Sequence, residues 1–490
     1  MIVSWSAWLV SIAMVGALVA STPRDRTGVR PALTAVNVVC MLYVLYFIFP
    51  SAGLMIGDAQ FTWAIGYGGW ESLQQTMIVG TAAFSAFTIP ILAIRFLRDT
   101  SPIDTVRAKS GFESVRDQSI LRDPPVWLIL ALIAIGLALK IYMVLTTGGF
   151  ESMLLRLSGN ARETGQVSGL DSGDIGIRTL SGVADAAATW ALCTALARRK
   201  HIYAWGAVWL GVLMLSYATV GKRLTLLLPI LAVALAVHYF LRPLSAKIFP
   251  LAVVGALAFG MATLLFRVYA PAETAGIQID LNQVPYARGS ILLFYLNSLE
   301  FSTVEMMTVV IQNSQQIISQ FGTSENAFLQ LYVFPALYTV PRAIWFNKPD
   351  QIFDLSYSVS SAILGRRAED SNVGYVTTLI GNSYLLGGLL SALVTFAAFG
   401  LCCVAIDRSA SRATVSVARV FGTAVLLVLV FHFFRMGTLA WTFLIGVVQQ
   451  YGFLLGTILL VISVSAGSGK DPADDVTRHL LDEPSTVATR

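Results

Sequence analysis

The chain has 490 residues, of which 56% are hydrophobic and only 12% charged, with a net charge of +5. A soluble domain carries about 25% charged residues, so a soluble fold of this composition would leave large apolar surfaces in water. In a bilayer the composition is expected, because each spanning helix takes about 20 apolar residues, and the basic balance then points to loops rich in Lys and Arg rather than to nucleic acid.

Apolar runs long enough to span fall near 2–21, 31–56, 74–96, 125–147, 179–197, 202–220, 224–241, 248–269, 374–406, 416–434 and 438–464. The predicted fold class is therefore an all-α polytopic membrane protein of about 11 transmembrane helices (a range of about 10–12). Residues 1–269 form an N-terminal block of eight helices, 270–373 one large extracytoplasmic loop, 374–464 three C-terminal helices and 465–490 a tail. The first run, from Ile2 to Ala20, has no charged segment ahead of it and is expected to be a permanent helix rather than a cleaved signal. Cys40, Cys193, Cys402 and Cys403 all lie in apolar runs and read as small core residues, not as a disulfide or metal set.

Orientation follows from loop charge. With 22–30 in the cytoplasm, the inner connections 22–30, 97–124, 198–201, 242–247 and 407–419 carry sixteen Lys/Arg, and the short outer ones carry six. This satisfies the positive-inside rule and places the N-terminus outside. The tail 465–490, with Pro472, Asp474, Asp475 and Pro484, is then cytoplasmic and reads as disordered. The loop 270–373 is outside, yet 290–311 and 327–343 are largely apolar, the second broken by Pro335 and Pro341. They read as interfacial or re-entrant helices bordering a watery cavity, with a twelfth span at 290–311 as the alternative.

Basic residues on the outer side run against the charge rule and so need a reason. They are Lys222 and Arg223 in the turn Gly221-Lys222-Arg223, Arg267 at the end of the eighth run, Arg288, Arg342 and Lys348 in the long loop, and Arg435 at the end of the tenth run. Converging guanidinium groups bind phosphate bidentately and stay charged, whereas a lone Arg at a helix end simply snorkels to the headgroups. His432 precedes Arg435 by three and shares its helix face, although a packed histidine is the commoner explanation. Glu300 and Glu305 are the carboxylates available to a cavity, but five residues apart on a helix they point about 140° apart and make no acid/base dyad. Gly221-Lys222-Arg223 is not a nucleotide-binding loop, since Ser216 stands where the earlier Gly belongs, and no metal-ligand spacing of His or Cys is present. Of intramembrane polar residues, Lys140 and a few Ser and Thr stand out, without the regular series or inverted repeat of a transporter.

Four ordered segments resemble the oligosaccharide repeat-unit polymerases of bacterial surface polysaccharides, the O-antigen polymerase (Wzy-like) family. They are Gly221-Lys222-Arg223, the Pro-Arg…Lys-Pro segment from Pro341 to Pro349, the segment from Thr377 to Gly388 with Asn382 and Tyr384, and Arg435-Met436-Gly437-Thr438-Leu439. Asn382 stands where many relatives carry an acid, and Met436 interrupts the family's Arg-Gly pair. The resemblance implies a metal-independent glycosyltransferase, without cofactor, in the bacterial cytoplasmic membrane. Its substrates are oligosaccharides on undecaprenyl diphosphate, and a chain-length regulator and a flippase are the protein partners such an enzyme implies. Arg435, Arg342 and Arg223 are then expected at the reacting diphosphate, with Lys222, Arg267, Arg288, Lys348, Tyr384, His432 and Glu300 binding substrate. A ligase-like or other lipid-linked glycosyltransferase, and a polysaccharide transporter or flippase, are the alternatives.

Overall fold

The computed structural model describes residues 1–24, 29–62, 64, 66–99, 124–146, 180–220, 226–274, 302–320, 323–333, 359, 377–412, 416–437 and 456. The helices are α1 (Ile2–Ala20), α2 (Ala35–Tyr43) running through a π-helical turn (Val44–Ile48) into α3 (Phe49–Ile56), α4 (Trp70–Asp99), α5 (Val126–Thr146), α6 (Val183–Arg198), α7 (Ile202–Val220), α8 (Leu227–Ala236) and α9 (Phe249–Thr274). After these come the short α10 (Thr303–Gln312), α11 (Ser314–Ser319) and α12 (Ser324–Phe328), and then α13 (Thr378–Arg412) and α14 (Val417–Met436). Ten of the eleven apolar runs thus fold as helices close to the expected bounds; the eleventh, 438–464, lies outside the described residues but for residue 456. Six are long and apolar enough to cross a membrane: Ile2–Ala20, Ala35–Ile56, Trp70–Leu97, Val126–Thr146, Thr378–Ala410 and Val417–Met436. Their outward faces carry Leu9, Ile89, Trp127, Leu130, Leu390 and Val394, all exposed, as lipid-facing helices require. Among the described residues the chain is helical, with the several apolar helices of a multi-pass membrane protein.

Same-end contacts set the helices alternately up and down. Arg95 donates to the Leu18 carbonyl (2.6 Å) and to Ser21 Oγ (2.9 Å), tying the end of α4 to the end of α1. Asp407 accepts from the Ala35 and Val36 amides at 2.6 and 3.4 Å, so a carboxylate late in α13 caps the start of α2. Ala32 N–H donates to the Leu244 carbonyl and Ala246 N–H to that of Arg30, and Arg199 reaches the Phe240 carbonyl. Arg24, Arg30, Arg95, Arg198, Arg199, Lys200, Arg242, Lys247, Arg408 and Arg419 therefore share one end of the bundle. The charge bias read from separate loops is a property of one physical end, as a positive-inside arrangement demands. Arg435 stands at the other.

The core is built by small residues and by aromatic ones. In α6 the Ala-rich sequence buries twelve of sixteen side chains against α5, α7, α8 and α14. Gly136 of α5 lies so close to α6 that an added Cβ would come within 2.6 Å of the Ala184 Cβ, the small-residue contact by which membrane helices approach one another. Across α2, α4, α13 and α14 runs a chain of ring contacts from Tyr43–Phe84 (3.8 Å between centroids) through Phe87, Phe399 and Phe396 to Phe434 (6.3 Å from Phe396). Each such pair contributes about 0.5–1.5 kcal/mol beyond its buried area.

One polar cluster lies inside the bundle. The Lys140 ammonium of α5 pairs with Asp185 Oδ2 of α6 at 3.1 Å, with Lys140 1% and Asp185 15% exposed. The Ser216 hydroxyl of α7 donates to the other Asp185 oxygen. Three helices are joined through one carboxylate.

Two expectations change. Of the apolar stretch 290–311 only 302–311 is described, and there α10 starts at Thr303, after Ser302, and is ten residues, about 15 Å. It is not interfacial, because every residue from Thr303 to Ile311 is buried, in contact with α4, α13 and the π turn. A helix that short holds a place at membrane depth only when protein surrounds it. The run expected at 374–406 begins at Thr378 and is kinked: Gly387 (φ −164°, ψ 27°) and Gly388 (φ 62°, ψ −151°) leave helical geometry, the second in a conformation that only glycine adopts readily.

Candidate functional site

The end of the bundle opposite the basic end gathers parts of four elements. The π turn after α2 brings Tyr46 and Phe47. Pro50, just beyond, has no N–H to return along the helix, so the local carbonyl ladder is open to outside donors. The Thr303 hydroxyl of α10 donates to the Tyr46 carbonyl, Trp8 Nε1 of α1 to that of Ile48 (2.9 Å) and Ser51 Oγ to that of Phe47 (2.6 Å). The irregular turn is thereby fixed, and α10 is fixed to it.

From α13 come Thr377, Thr378, Ile380 and Asn382, and from α14 Phe434, Arg435, Met436 and Gly437. The two segments meet. The Thr377 hydroxyl donates to Asn382 Oδ1 (2.9 Å), and Asn382 Nδ2 lies 3.4 Å from the Met436 carbonyl. Gly437 caps α14 with φ 60° and ψ −137°, and a Cβ there would fall 1.7 Å from Asn382 Nδ2. Both the backbone conformation and the space exclude any other residue. Two of the four segments that carry the family resemblance are therefore one structural unit. Gly437→Ala is expected to push Asn382 off Met436 and to lower activity at least tenfold, with a measurable drop in thermal stability in detergent; a variant equal to the parent in both would show the brace to be dispensable.

Arg435 sits in the last turn of α14, where the helix dipole favours a cation. It is half-buried, with its guanidinium 5.8 Å from the centre of the Tyr46 ring, and its Nε is buried without a hydrogen-bond partner among the described residues. No acidic side chain pairs with it among the described residues. Next to it a small pocket, with room for about one water-sized group, is lined by Tyr46, Phe47, Thr303, Met307, Thr378, Ile380 and Phe434. A guanidinium held in this way, with no counter-charge among the described residues and at the end opposite the basic cluster, is suited to an anion.

The other expected site residues divide. Arg342, Arg223, Lys222, Arg288, Lys348 and Glu300 lie outside the described residues; Arg267 is on α9, toward the Arg435 end of the bundle, and its side chain also lies outside them. Two lie apart from the pocket lining. His432 is 1% exposed, donates from Nδ1 to the Val428 carbonyl (2.8 Å) and packs edge-on against Phe431, within the core. Tyr384 is half-buried, packs against the core and is not among the residues that line the pocket, although it lies one turn beyond Ile380, which is. Glu305 is buried and accepts from the Ala64 amide at 3.0 Å, which makes it a fastener of the connection before α4. The sequence reading passed over Thr378, Tyr46 and Asp185. Thr378 had a signal, as the second Thr of the resemblance segment; Tyr46 had none beyond the nearby Pro50.

No family model, curated protein or solved structure matches this chain. Its function is argued from its own residues.

Proposed function

We propose that the chain is a membrane glycosyltransferase that polymerises oligosaccharide repeat units carried on undecaprenyl diphosphate, at the outer face of the bacterial cytoplasmic membrane. The non-reducing hydroxyl of a new repeat unit attacks the anomeric carbon of the growing chain. The bond from that carbon to the diphosphate oxygen breaks, the hydroxyl proton passes to water or to the departing diphosphate, and undecaprenyl diphosphate leaves. The leaving group gains charge in the transition state, so a fixed cation beside it lowers the barrier more than it tightens binding of the substrate. Arg435 is assigned that role, and Arg342 and Arg223 of the other resemblance segments are assigned the same role.

The observation that carries this reading is the brace from Thr377 through Asn382 to Met436. It holds a guanidinium with no acidic partner among the described residues at the end of the bundle where the charge rule places no cation. It also gives the Asn382 departure a physical sense. The amide accepts from Thr377 and donates toward Met436 at the same time, whereas a carboxylate could only accept.

Deleting the gene is expected to leave surface glycans with one repeat unit and to accumulate lipid-linked single units, seen as collapse of the glycan ladder on a gel. Long chains that persist in a strain with no second polymerase would refute the proposal. Full-length chains that accumulate on the lipid without reaching their acceptor would identify a ligase instead.

A further inference from the structure

The pocket beside Arg435 contains a residue that no other part of the structure explains. Thr378 has φ +60°, a left-handed conformation that a β-branched side chain adopts only when its surroundings impose it. It is 5% exposed, it lines the pocket, and its Oγ1 is buried with no hydrogen-bond partner among the described residues. Its neighbours behave otherwise. Thr377 spends its hydroxyl on Asn382, Thr303 on the Tyr46 carbonyl and Ser383 on the Leu379 carbonyl. A buried hydroxyl left without a partner costs free energy unless something else meets it. Here a strained backbone holds such a hydroxyl at a pocket wall.

The rest of the lining says what kind of group would meet it. Tyr46, Phe47 and Phe434 present aromatic surface, and Met307 and Ile380 aliphatic surface. The cation lies outside this lining, across the Tyr46 ring. A pocket of about one water's size, with aromatic and aliphatic walls and a single free hydroxyl, admits one neutral hydroxyl group, such as one projecting from a sugar ring, better than a phosphate, which would seek Arg435. Resting on the glycosyltransferase reading above, we propose that Thr378 is a substrate-positioning residue whose hydroxyl bonds a hydroxyl of the sugar next to the reacting carbon, while Arg435 takes the diphosphate. The site is thereby divided into a neutral sugar half on α13 and α10 and a cationic half on α14.

The test uses the full-length protein in proteoliposomes with purified lipid-linked single repeat units, comparing the parent with Thr378→Val and Thr378→Ser. Val keeps the shape and β-branching of Thr and removes the hydroxyl. Because that hydroxyl makes no bond within the described structure, a purely structural role leaves Thr378→Val as stable and active as the parent. The sugar role predicts unchanged thermal stability with a loss of roughly ten- to a hundredfold in kcat/KM, from a substrate hydroxyl left unpaired, and recovery of most of it by Ser. Inhibition by added undecaprenyl diphosphate should be the same in parent and Val variant and weakened in Arg435→Lys. A Val variant with parental kcat/KM, or one in which undecaprenyl diphosphate inhibits less, would overturn the assignment of Thr378 to the sugar. If the parent itself makes no polymer from the lipid-linked units, the broader glycosyltransferase reading fails instead.

Discussion

Replacing Arg435 with Ala is expected to lower polymerisation about a hundred- to a thousandfold while leaving the amount of protein in the membrane unchanged. Loss of one preorganised donor at a centre of developing charge typically costs about 3–4 kcal/mol of transition-state stabilisation. Arg435 has the attributes for the full effect: it is half-buried, its Nε has no partner among the described residues, and it faces Tyr46 rather than an acid. Lys at the same position should recover only part, because a point charge does not reproduce the bidentate fork. The fall should appear in kcat more than in KM, since the charge to be stabilised is largest in the transition state. The decisive measurement is glycan chain length beside protein level in the same membranes. An Ala variant of normal abundance that makes chains of normal length would reduce Arg435 to a snorkelling residue and remove the centre of the proposed site.

The helices were legible because hydropathy is a sum over about 20 residues, and such sums are insensitive to detail. The kink at Gly387–Gly388 was not, because nothing local tells a glycine packed in a helix from one that leaves it. The burial of α10 was equally hidden. Thr303–Ile311 carries Glu305, which reads from the sequence as a carboxylate facing a cavity, and two threonines, yet each is satisfied inside: Thr303 by the Tyr46 carbonyl, Glu305 by the Ala64 amide and Thr308 by Thr76 Oγ1 at 2.7 Å. Polar residues in a membrane helix mark either water or a partner helix, and only the fold decides which. For the same reason His432 was read outward from its spacing to Arg435, when its ring is enclosed by its own helix and Phe431. Asp185 escaped notice because a single acid hardly changes the hydropathy of an Ala-rich run. Its meaning depends on Lys140, which is 45 residues away in sequence and 3.1 Å away in space.

That pair gives the largest expected change in stability. Lys140→Met should destabilise the protein by about 3–5 kcal/mol, because a carboxylate within the bundle loses the cation that compensates it. Asp185→Leu should do the same by stranding the ammonium of Lys140, which is only 1% exposed, and it also takes the acceptor from Ser216. The double variant Lys140→Met, Asp185→Asn should return close to parental stability. A neutral pair of similar volume removes both charges at once, and the amide oxygen still accepts from Ser216. Thermal aggregation of the detergent-solubilised protein, read together with its level in the membrane, measures all three. Single variants as stable as the parent would mean that water or headgroups reach the cluster and screen it. A double variant as unstable as the singles would mean that the charges themselves, and not their compensation, hold α5, α6 and α7 together. A double variant with parental stability and parental polymerisation would place the cluster wholly in the scaffold, where one carboxylate between three helices stands for the loop contacts that a soluble bundle would use.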